Sequence, residues 1–320
     1  MIPDLADLKA AQSRTAAHLH RTPLWHSATL SGMLGCELYL KAELFQKTGS
    51  FKPRGMLNVL MQLGPAERAA GAVTVSAGNA AQGLAYAARV LGIQATVLMP
   101  AHANPRKAEA TRGYGAKVVL HGTAMDCFDL AAKMARDDGT TLVHSFDDQR
   151  LMAGHASLGL EIADALPDAD LVVTGIGGGG LIGGLVMALR ASGLATRIAG
   201  VEPVGAAAMT ESLAAGRPVT LDHIDTIADG LAPPFVGDLN FPLVRDHVAQ
   251  VVTVTDDQIR AAMVLLMERA KLFAEPPGAA GLAGLLAGEI PFSAGAKVVC
   301  VISGGNADLA RFGDWFPAPG

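Results

Sequence analysis

Aromatic residues are scarce in this 320-residue chain, at 5% of the total, although half of the residues are apolar. The interior must therefore be built mainly from Ala, Val, Leu and Ile. Together with 37 glycines, this composition favours parallel strands covered by closely packed helices. Because a single hydrophobic core seldom grows beyond about 250–300 residues, the length predicts two domains around one cleft.

Cysteine is also rare, and Cys36, Cys127 and Cys300 are odd in number and far apart. Their spacing is that of neither a metal site nor a disulfide framework. The first nine residues carry Asp4 and Asp7 and lack the basic and apolar design of a signal peptide. Both features predict a reducing, cytoplasmic location.

The chain lacks a cluster of Lys and Arg, and its net charge is −5, so a nucleic-acid partner is not expected. One uncharged stretch, residues 171–189, has the length of a membrane span. It holds seven glycines bunched after a short Val-rich run. That pattern predicts a strand, a tight turn and the start of a helix, and no association with a membrane.

Hydrophobic periodicity predicts two separate alternations of strand and helix after a first strand at 38–43. The first alternation has strands at 72–75, 95–99, 117–120 and 141–144, with helices at 80–91, 106–113 and 126–137. The second has strands at 171–174, 197–201, 250–254 and 297–302, with helices at 181–191, 256–272 and 278–286. Two parallel α/β units are therefore expected.

A basic loop is predicted at 46–55, where Lys52 follows Phe51 and lies near Lys47 and Arg54. A lysine forms a Schiff base only when its amine can lose its proton, which desolvation or cationic neighbours promote. The apolar Phe51 and the cationic Lys47 and Arg54 would provide that environment for Lys52. Composition alone, however, favours an ordinary solvated loop.

Glycines dominate 175–180, between a predicted strand and a predicted helix. Successive backbone N–H groups and a helix N-terminus bind phosphate without a cationic side chain. The same residues match a dinucleotide fingerprint at Gly175, Gly177 and Gly180, with Glu202 where a ribose-binding acid belongs. An NAD-dependent oxidoreductase therefore remains an alternative, although it leaves Lys52 unexplained.

Two more strand ends carry polar turns, Ser76-Ala77-Gly78-Asn79 and Ser303-Gly304-Gly305-Asn306. Backbone amides at the first can hold a carboxylate, and the Asn79 amide can meet a phenolate oxygen. Taken singly, the first is an ordinary helix cap and Ser303 an ordinary turn hydroxyl.

In combination and in order, the four segments resemble the serine/threonine dehydratase and serine racemase family of pyridoxal-phosphate enzymes, which have the tryptophan-synthase-β-like fold, fold type II. The resemblance runs from Arg21 to Asn306. It implies a large α/β domain of residues 1–52 and 146–320 and a small inserted α/β domain of residues 53–145. Pyridoxal 5′-phosphate would lie in the cleft between two parallel sheets, and the protein would form a homodimer.

The resemblance also implies roles for single residues. Lys52 would hold the cofactor as a Schiff base and later move the α-proton. Phe51 would pack on the pyridine ring, Ser303 would meet its nitrogen, and Glu275 would lie near the cofactor. The cofactor phosphate would be bound by the backbone amides of Gly177, Gly178, Gly179, Gly180 and Leu181. The substrate would be bound at Ser76, Ala77, Gly78, Asn79 and Ala80, where Asn79 also meets the cofactor's 3-hydroxyl oxygen.

The implied activity is dehydrative deamination of threonine, serine or a larger 3-hydroxy-amino acid such as hydroxyaspartate. A neutral hydroxyl at Ser303 would leave the ring nitrogen unprotonated, which favours prompt loss of a β-leaving group. An amino-acid racemase of the same fold is the nearest alternative. A non-catalytic binding protein is the least favoured, because every expected cofactor position is present.

The chain departs from the family pattern at three places. Ala80 stands where a His is usual, Ser145 where a Pro is usual, and the segment 154–157 reads Gly-His-Ala-Ser instead of Gly-Gln-Gly-Thr. Ala80 predicts a roomier pocket that accepts a bulky or charged side chain. Ala208 replaces an Asp that binds a divalent cation in some relatives, so little dependence on Mg²⁺ or Ca²⁺ is expected.

Overall fold

The computed structural model of the protein describes residues 2–316. Its helices are α1 Leu5–Thr15, α2 Ala28–Leu34, α3 Lys52–Leu60, α4 Pro65–Ala70, α5 Asn79–Leu91, α6 Pro105–Gly113, α7 Ala124–Asp137, α8 Gln149–Ala165, α9 Gly180–Ala191, α10 Ala208–Ala215, α11 Asn240–His247, α12 Asp256–Leu265, α13 Pro276–Leu286 and α14 Phe312–Trp315. Its strands are β1 Leu24–His26, β2 Glu37–Ala42, β3 Ala72–Val75, β4 Ala95–Met99, β5 Lys117–Leu120, β6 Thr141–Leu142, β7 Leu171–Gly175, β8 Arg197–Pro203, β9 Gln250–Val254 and β10 Lys297–Ile302.

The strands form two sheets. The larger has the order β1-β2-β10-β7-β8-β9, and only its edge pair β1–β2 is antiparallel. The smaller has the order β5-β4-β3-β6 and is parallel throughout. The prediction of two parallel α/β units is confirmed, and both sheets are covered by helices, as parallel sheets require.

The core has the composition that the scarcity of aromatics predicted. Ala, Val, Leu and Ile supply most of the buried side chains on both sides of the large sheet and around the small one. No helix within residues 2–316 combines the length and apolarity needed to cross a membrane. The uncharged stretch 171–189 instead contains β7, the glycine turn and most of α9, as predicted.

The segment around Lys52 differs from the sequence prediction. It was expected to be a loop, but Lys52 is the first residue of α3. Pro53, which reads as a helix breaker, occupies the first turn, where its missing N–H has no intrahelical partner to lose. The basic-loop interpretation is therefore wrong, because Arg54 is fully buried in α3.

Two other elements are shorter than predicted. The strand expected at 141–144 is only Thr141–Leu142, and α12 ends at Leu265 before a π-helical turn, Leu266–Ala270. Hydrophobic periodicity did not predict α8, the longest helix in the described residues. This helix is buried from Leu151 to Ile162 except at Ala153. Its buried residues include the polar His155, Ser157 and Glu161, so apolar residues alone do not mark its inner face.

Four buried charges anchor α3 to its surroundings. Arg54 donates to Glu43 through Nε (2.7 Å) and to Glu161 through Nη1 (2.7 Å). Lys41 Nζ donates to Glu161 at 2.5 Å. These residues, at most 6% exposed, join β2, α3 and α8 in a buried ion cluster, defined as Lys41, Glu43, Arg54 and Glu161. The cluster fixes the helix that begins with Lys52.

Candidate active site

One cavity of about 400 Å³ lies where the carboxyl ends of β3, β7 and β10 open into their turns, the usual ligand position in parallel sheets. It collects every site residue that the sequence predicted. These are residues 51, 52, 76–80, 177–181, 275 and 303. They come from parts of the chain up to 252 positions apart, so only the fold could bring them together.

The Lys52 amine points into this cavity. Its Nζ donates to the Ser145 carbonyl at 2.8 Å and lies 5.1 Å from the centre of the Phe51 ring. Burial lowers the pKa of Lys52 to about 8, with Glu275 opposing that shift. Near neutral pH a useful fraction of the amine is therefore unprotonated and nucleophilic.

His155 connects Phe51 to the glycine turn, a link that sequence reasoning missed. The two rings meet edge to face with centroids 4.8 Å apart, and His155 Nδ1 lies 3.1 Å from the Gly180 carbonyl. Burial lowers the pKa of His155 to about 3, so the ring is neutral and the contact requires Nδ1–H as donor. The sequence signalled this residue only as a departure from the family pattern.

In the glycine turn, residues 175–180, the positions of Gly178, Gly179 and Gly180 have no room for a side chain. A Cβ at Gly178 would stand 2.2 Å from the Phe146 ring, and one at Gly180 would stand 2.8 Å from the Phe146 carbonyl. Gly179 has φ +96° and caps α9, a conformation that favours glycine. The turn thus brings bare backbone and the N-terminus of α9 against the cavity, which suits an anion.

Asn240 holds this turn in place, although nothing in the sequence signalled it. Its Nδ2 donates to the carbonyls of Phe146 (3.0 Å) and Gly178 (2.9 Å). One side chain therefore ties the glycine turn to the segment that follows Ser145.

Replacing Gly178 with alanine is expected to weaken binding of pyridoxal phosphate about tenfold or more, because the new methyl group overlaps the Phe146 ring and must displace the turn. The dissociation constant can be measured by absorbance titration of the apoprotein. Gly32→Ala is the matched control, since a Cβ there meets nothing within 4 Å. Equal affinity of Gly178→Ala and the wild type would contradict the role of the turn.

Asn79, Glu275 and Asn306 form a hydrogen-bonded row at another side of the cavity. Asn79 Nδ2 donates to Glu275 Oε1 at 2.5 Å, and Asn306 Nδ2 donates to Asn79 Oδ1 at 2.8 Å. Burial raises the pKa of Glu275 to about 7, against the lowering effect of the Asn79 bond. These contacts fix the Asn79 amide and leave its second hydrogen for a ligand.

The turn after β3 leads directly into α5. Gly78 is the N-cap, and Ser76 Oγ accepts from the Gly78 amide at 3.2 Å. Because the first N–H groups of a helix have no intrahelical partner, residues 76–80 offer donors to a carboxylate. Ala77 and Ala80 also line the cavity.

Glu202 lies outside the cavity and caps a helix instead. Its carboxylate accepts from the amides of Met209 (2.7 Å) and Thr210 (2.8 Å), at the start of α10. The ribose-binding role that the NAD alternative needs is thus unsupported.

Within residues 2–316 no group of three or more His, Cys, Asp or Glu residues is arranged to hold a metal ion. The small dependence on divalent cations stays a prediction.

A buried lysine beside a side-chain-free helix N-terminus, at the carboxyl ends of parallel strands, defines a cofactor-dependent α/β enzyme. Residues 15–304 match the family model described as "Pyridoxal-phosphate dependent enzyme". The chain belongs to that family. The residues of the cavity fit its cofactor, since the glycine turn is a cradle that a Cβ would fill and Lys52 is desolvated.

The relatives that the chain resembles include proteins of two activities. The chain is 42% identical over 306 residues to an L-threonine ammonia-lyase of Thermotoga maritima, covering 95% of this chain and 76% of the relative. It is 37% identical over 311 residues to a serine racemase of Oryza sativa subsp. indica, covering 96% of this chain and 91% of the relative.

Solved structures confirm the expected fold. The structure of maize serine racemase matches with a TM-score of 0.94 and 35% identity, covering 98% of this chain and 97% of that chain. The processed form of threonine deaminase isoform 2 from Solanum lycopersicum matches with a TM-score of 0.90 and 33% identity, covering 98% of this chain and 88% of that chain.

Proposed function

We propose that this chain is a pyridoxal-phosphate-dependent ammonia-lyase that converts a 3-hydroxy-amino acid into a 2-keto acid and ammonia. The observation that carries the proposal is that Lys52, the glycine turn and the neutral Ser303 line one cavity. The similarity to an L-threonine ammonia-lyase over 95% of this chain supports it.

Different residues of the cavity would bind different parts of the cofactor. Lys52 would hold the cofactor covalently, Phe51 would pack on its ring, and the amides of 177–181 would bind its phosphate. His155 and Asn240 keep Phe51 and the glycine turn in position. When bound, pyridoxal phosphate acts as an electron sink for bonds broken at the substrate Cα.

Lys52 is the base and acid of the proposed reaction. With a pKa of about 8, its amine takes the α-proton at near-neutral pH and can return it. The Ser145 carbonyl, 2.8 Å from Nζ, orients that amine. The helix N-terminus at 76–80 would hold the substrate carboxylate, so that Cα faces Lys52.

Ser303 favours elimination over reactions that must store charge at Cα. It follows β10 directly, beside Phe51, whose amide donates to the Ser303 carbonyl at 3.1 Å. A hydroxyl does not stabilise a proton on its partner as a carboxylate would. Expulsion of the β-hydroxyl relieves charge at Cα at once.

The test is a panel of L-3-hydroxy-amino acids assayed for both keto acid and ammonia with the loaded enzyme. Stoichiometric release of both products from at least one member is expected. Release of neither, by a protein that shows the cofactor's absorbance and binds amino acids, would overturn the ammonia-lyase proposal.

Racemisation is the second candidate, because the chain is 37% identical to a serine racemase. It requires a second acid and base on the face opposite Lys52. The family resemblance implies that racemising members use a serine in a Ser-Ser-Gly-Asn motif for this step, and this chain has Ala77 at that position. A methyl group neither donates nor accepts a proton.

Elimination is therefore expected to dominate, since assistance of about 10²–10⁴-fold on the opposite face is missing. Chiral chromatography of unreacted L-serine beside a keto-acid assay measures both reactions. Ala77→Ser should raise racemisation, and Ala103→Ser, outside the cavity lining, is the control. Formation of D-serine as fast as pyruvate by the wild type would mean that another residue supplies the proton.

Three organisational predictions belong to the same proposal. The division into 1–52 with 146–320 and an inserted 53–145 is supported by the sheets, because the smaller sheet uses only strands between 72 and 142. A cytoplasmic location is supported by three buried, unpaired cysteines. The homodimer rests on the family resemblance and stays a prediction.

A further inference from the structure

Four of the chain's ten phenylalanines line the cavity, although the sequence is poor in aromatics. Three of them, with His144, form a continuous row. His144 lies 4.5 Å from Phe146 and 6.5 Å from Phe128 between ring centres, and Phe146 lies 5.7 Å from Phe235. We call Phe128, Phe146 and Phe235 the aromatic wall. It spans the cleft from α7, beside the small sheet, to the loop before α11.

The wall leaves apolar surface uncovered. Phe146 is buried against Gly178, but Phe128 and Phe235 are only half-buried and line the cavity. Val75 and Ala80 add apolar surface to the lining of the same cavity. Binding becomes more favourable when a ligand removes aromatic rings from water. The gain is largest when the ligand presents another ring in offset or edge-to-face contact.

The wall begins next to the reactive amine. Ser145, whose carbonyl accepts from Lys52 Nζ, lies between His144 and Phe146 in the chain. An amino acid whose Cα faced Lys52 and whose carboxylate lay at 76–80 would have its side chain left to meet the wall. The small side chain of Ala80 leaves room in the same cavity.

Charge argues against an acidic side chain. Among the described residues that line the cavity, Lys52 and Lys107 are the only cationic ones, and Lys107 is paired with Asp229. Lys107, Asp229 and Glu275 also line an adjoining smaller cavity of about 80 Å³, on the polar side. A second carboxylate against the aromatic wall would lose water without gaining a cation.

We propose that the aromatic wall selects a 3-hydroxy-amino acid with an aryl group on Cβ, of the 3-phenylserine class, over threonine, serine and hydroxyaspartate. This inference rests on the ammonia-lyase proposal. The reaction removes the β-hydroxyl as water and releases phenylpyruvate and ammonia, with one water consumed in the final hydrolysis. Burial of the aryl group should raise kcat/KM about tenfold to a hundredfold over threonine.

The experiment compares kcat/KM for L-threo-3-phenylserine, L-threonine and hydroxyaspartate in the wild type and in Phe235→Ala. The preference for phenylserine, measured as the ratio of its kcat/KM to that of threonine, should fall about tenfold in Phe235→Ala. Phe45→Ala, which removes an exposed ring outside the cavity, should keep the preference. A wild type that prefers threonine or hydroxyaspartate, or a Phe235→Ala variant that keeps the preference, overturns the inference.

Binding separates this inference from the proposed function. L-Phenylalanine and L-alanine lack a β-hydroxyl, so their dissociation constants can be measured by the cofactor's absorbance change without elimination. Tighter binding of L-phenylalanine by about tenfold, lost in Phe235→Ala, supports the wall even if no substrate is turned over. Equal binding of the two overturns it even if threonine is deaminated. Phe128→Ala gives the same comparison should Phe235→Ala fail to fold.

Discussion

Lys52→Ala is expected to abolish turnover, by at least about a thousandfold, because the same amine would hold the cofactor and move the α-proton. Borohydride reduction of the loaded wild type, followed by peptide mapping, should find the pyridoxyl group on the peptide that contains Lys52. Lys47→Ala, which alters a neighbouring lysine outside the cavity lining, should keep both activity and labelling. A label on Lys41, Lys47 or Lys107 would contradict the assignment.

The pH dependence of cofactor attachment tests the same lysine. Attachment to the apoprotein needs the unprotonated amine, and burial lowers the pKa of Lys52 to about 8. The rate should therefore rise with pH up to about 8 and then level off, whereas an unperturbed lysine would keep rising to about 10.5.

Arg54→Met is expected to lower the free energy of unfolding by about 3–5 kcal/mol, because it leaves two buried carboxylates, Glu43 and Glu161, with Lys41 alone. Urea unfolding measures the loss. Arg21→Met, which removes an exposed ion pair with Asp164, should cost about 0–1 kcal/mol. A similar, small loss in both variants would contradict the buried ion cluster.

The loss in Arg54→Met should also depend on pH. Although burial opposes it, the Arg54 charge and hydrogen bonds hold the pKa of Glu43 below its ordinary 4.5. A carboxyl group with a lowered pKa stabilises the fold above that ordinary value, and the stabilisation is lost as pH falls through the folded-state pKa. The gap between wild type and variant should thus narrow below about pH 4.5.

The sequence predicted some helices and strands better than others, depending on which side chains each element buries. Strands such as β3, β4 and β10 were predicted to the residue, because short apolar runs between glycines and polar turns are typical of buried parallel strands. α3 and α8 were not recognised as helices. Both bury polar side chains, Arg54 and Asn58 in α3 and His155 and Glu161 in α8, so apolar residues alone do not mark their inner faces.

The sequence by itself determined the class of cofactor, because four short segments occur in the combination and order that resemble one enzyme family. Taken singly, Lys52, Asn79 and Ser303 read as ordinary loop, cap and turn residues, and their roles beside the cofactor stay predictions. Only the tertiary structure decided the roles of His155, Asn240 and the aromatic wall. Each acts through contacts with residues distant in the chain, and ordinary Phe, His and Asn residues carry no local pattern that announces such contacts. The tertiary structure also decided the role of Glu202. From the sequence its carboxylate could have bound a ribose, but in the fold it accepts hydrogen bonds from the first amides of α10.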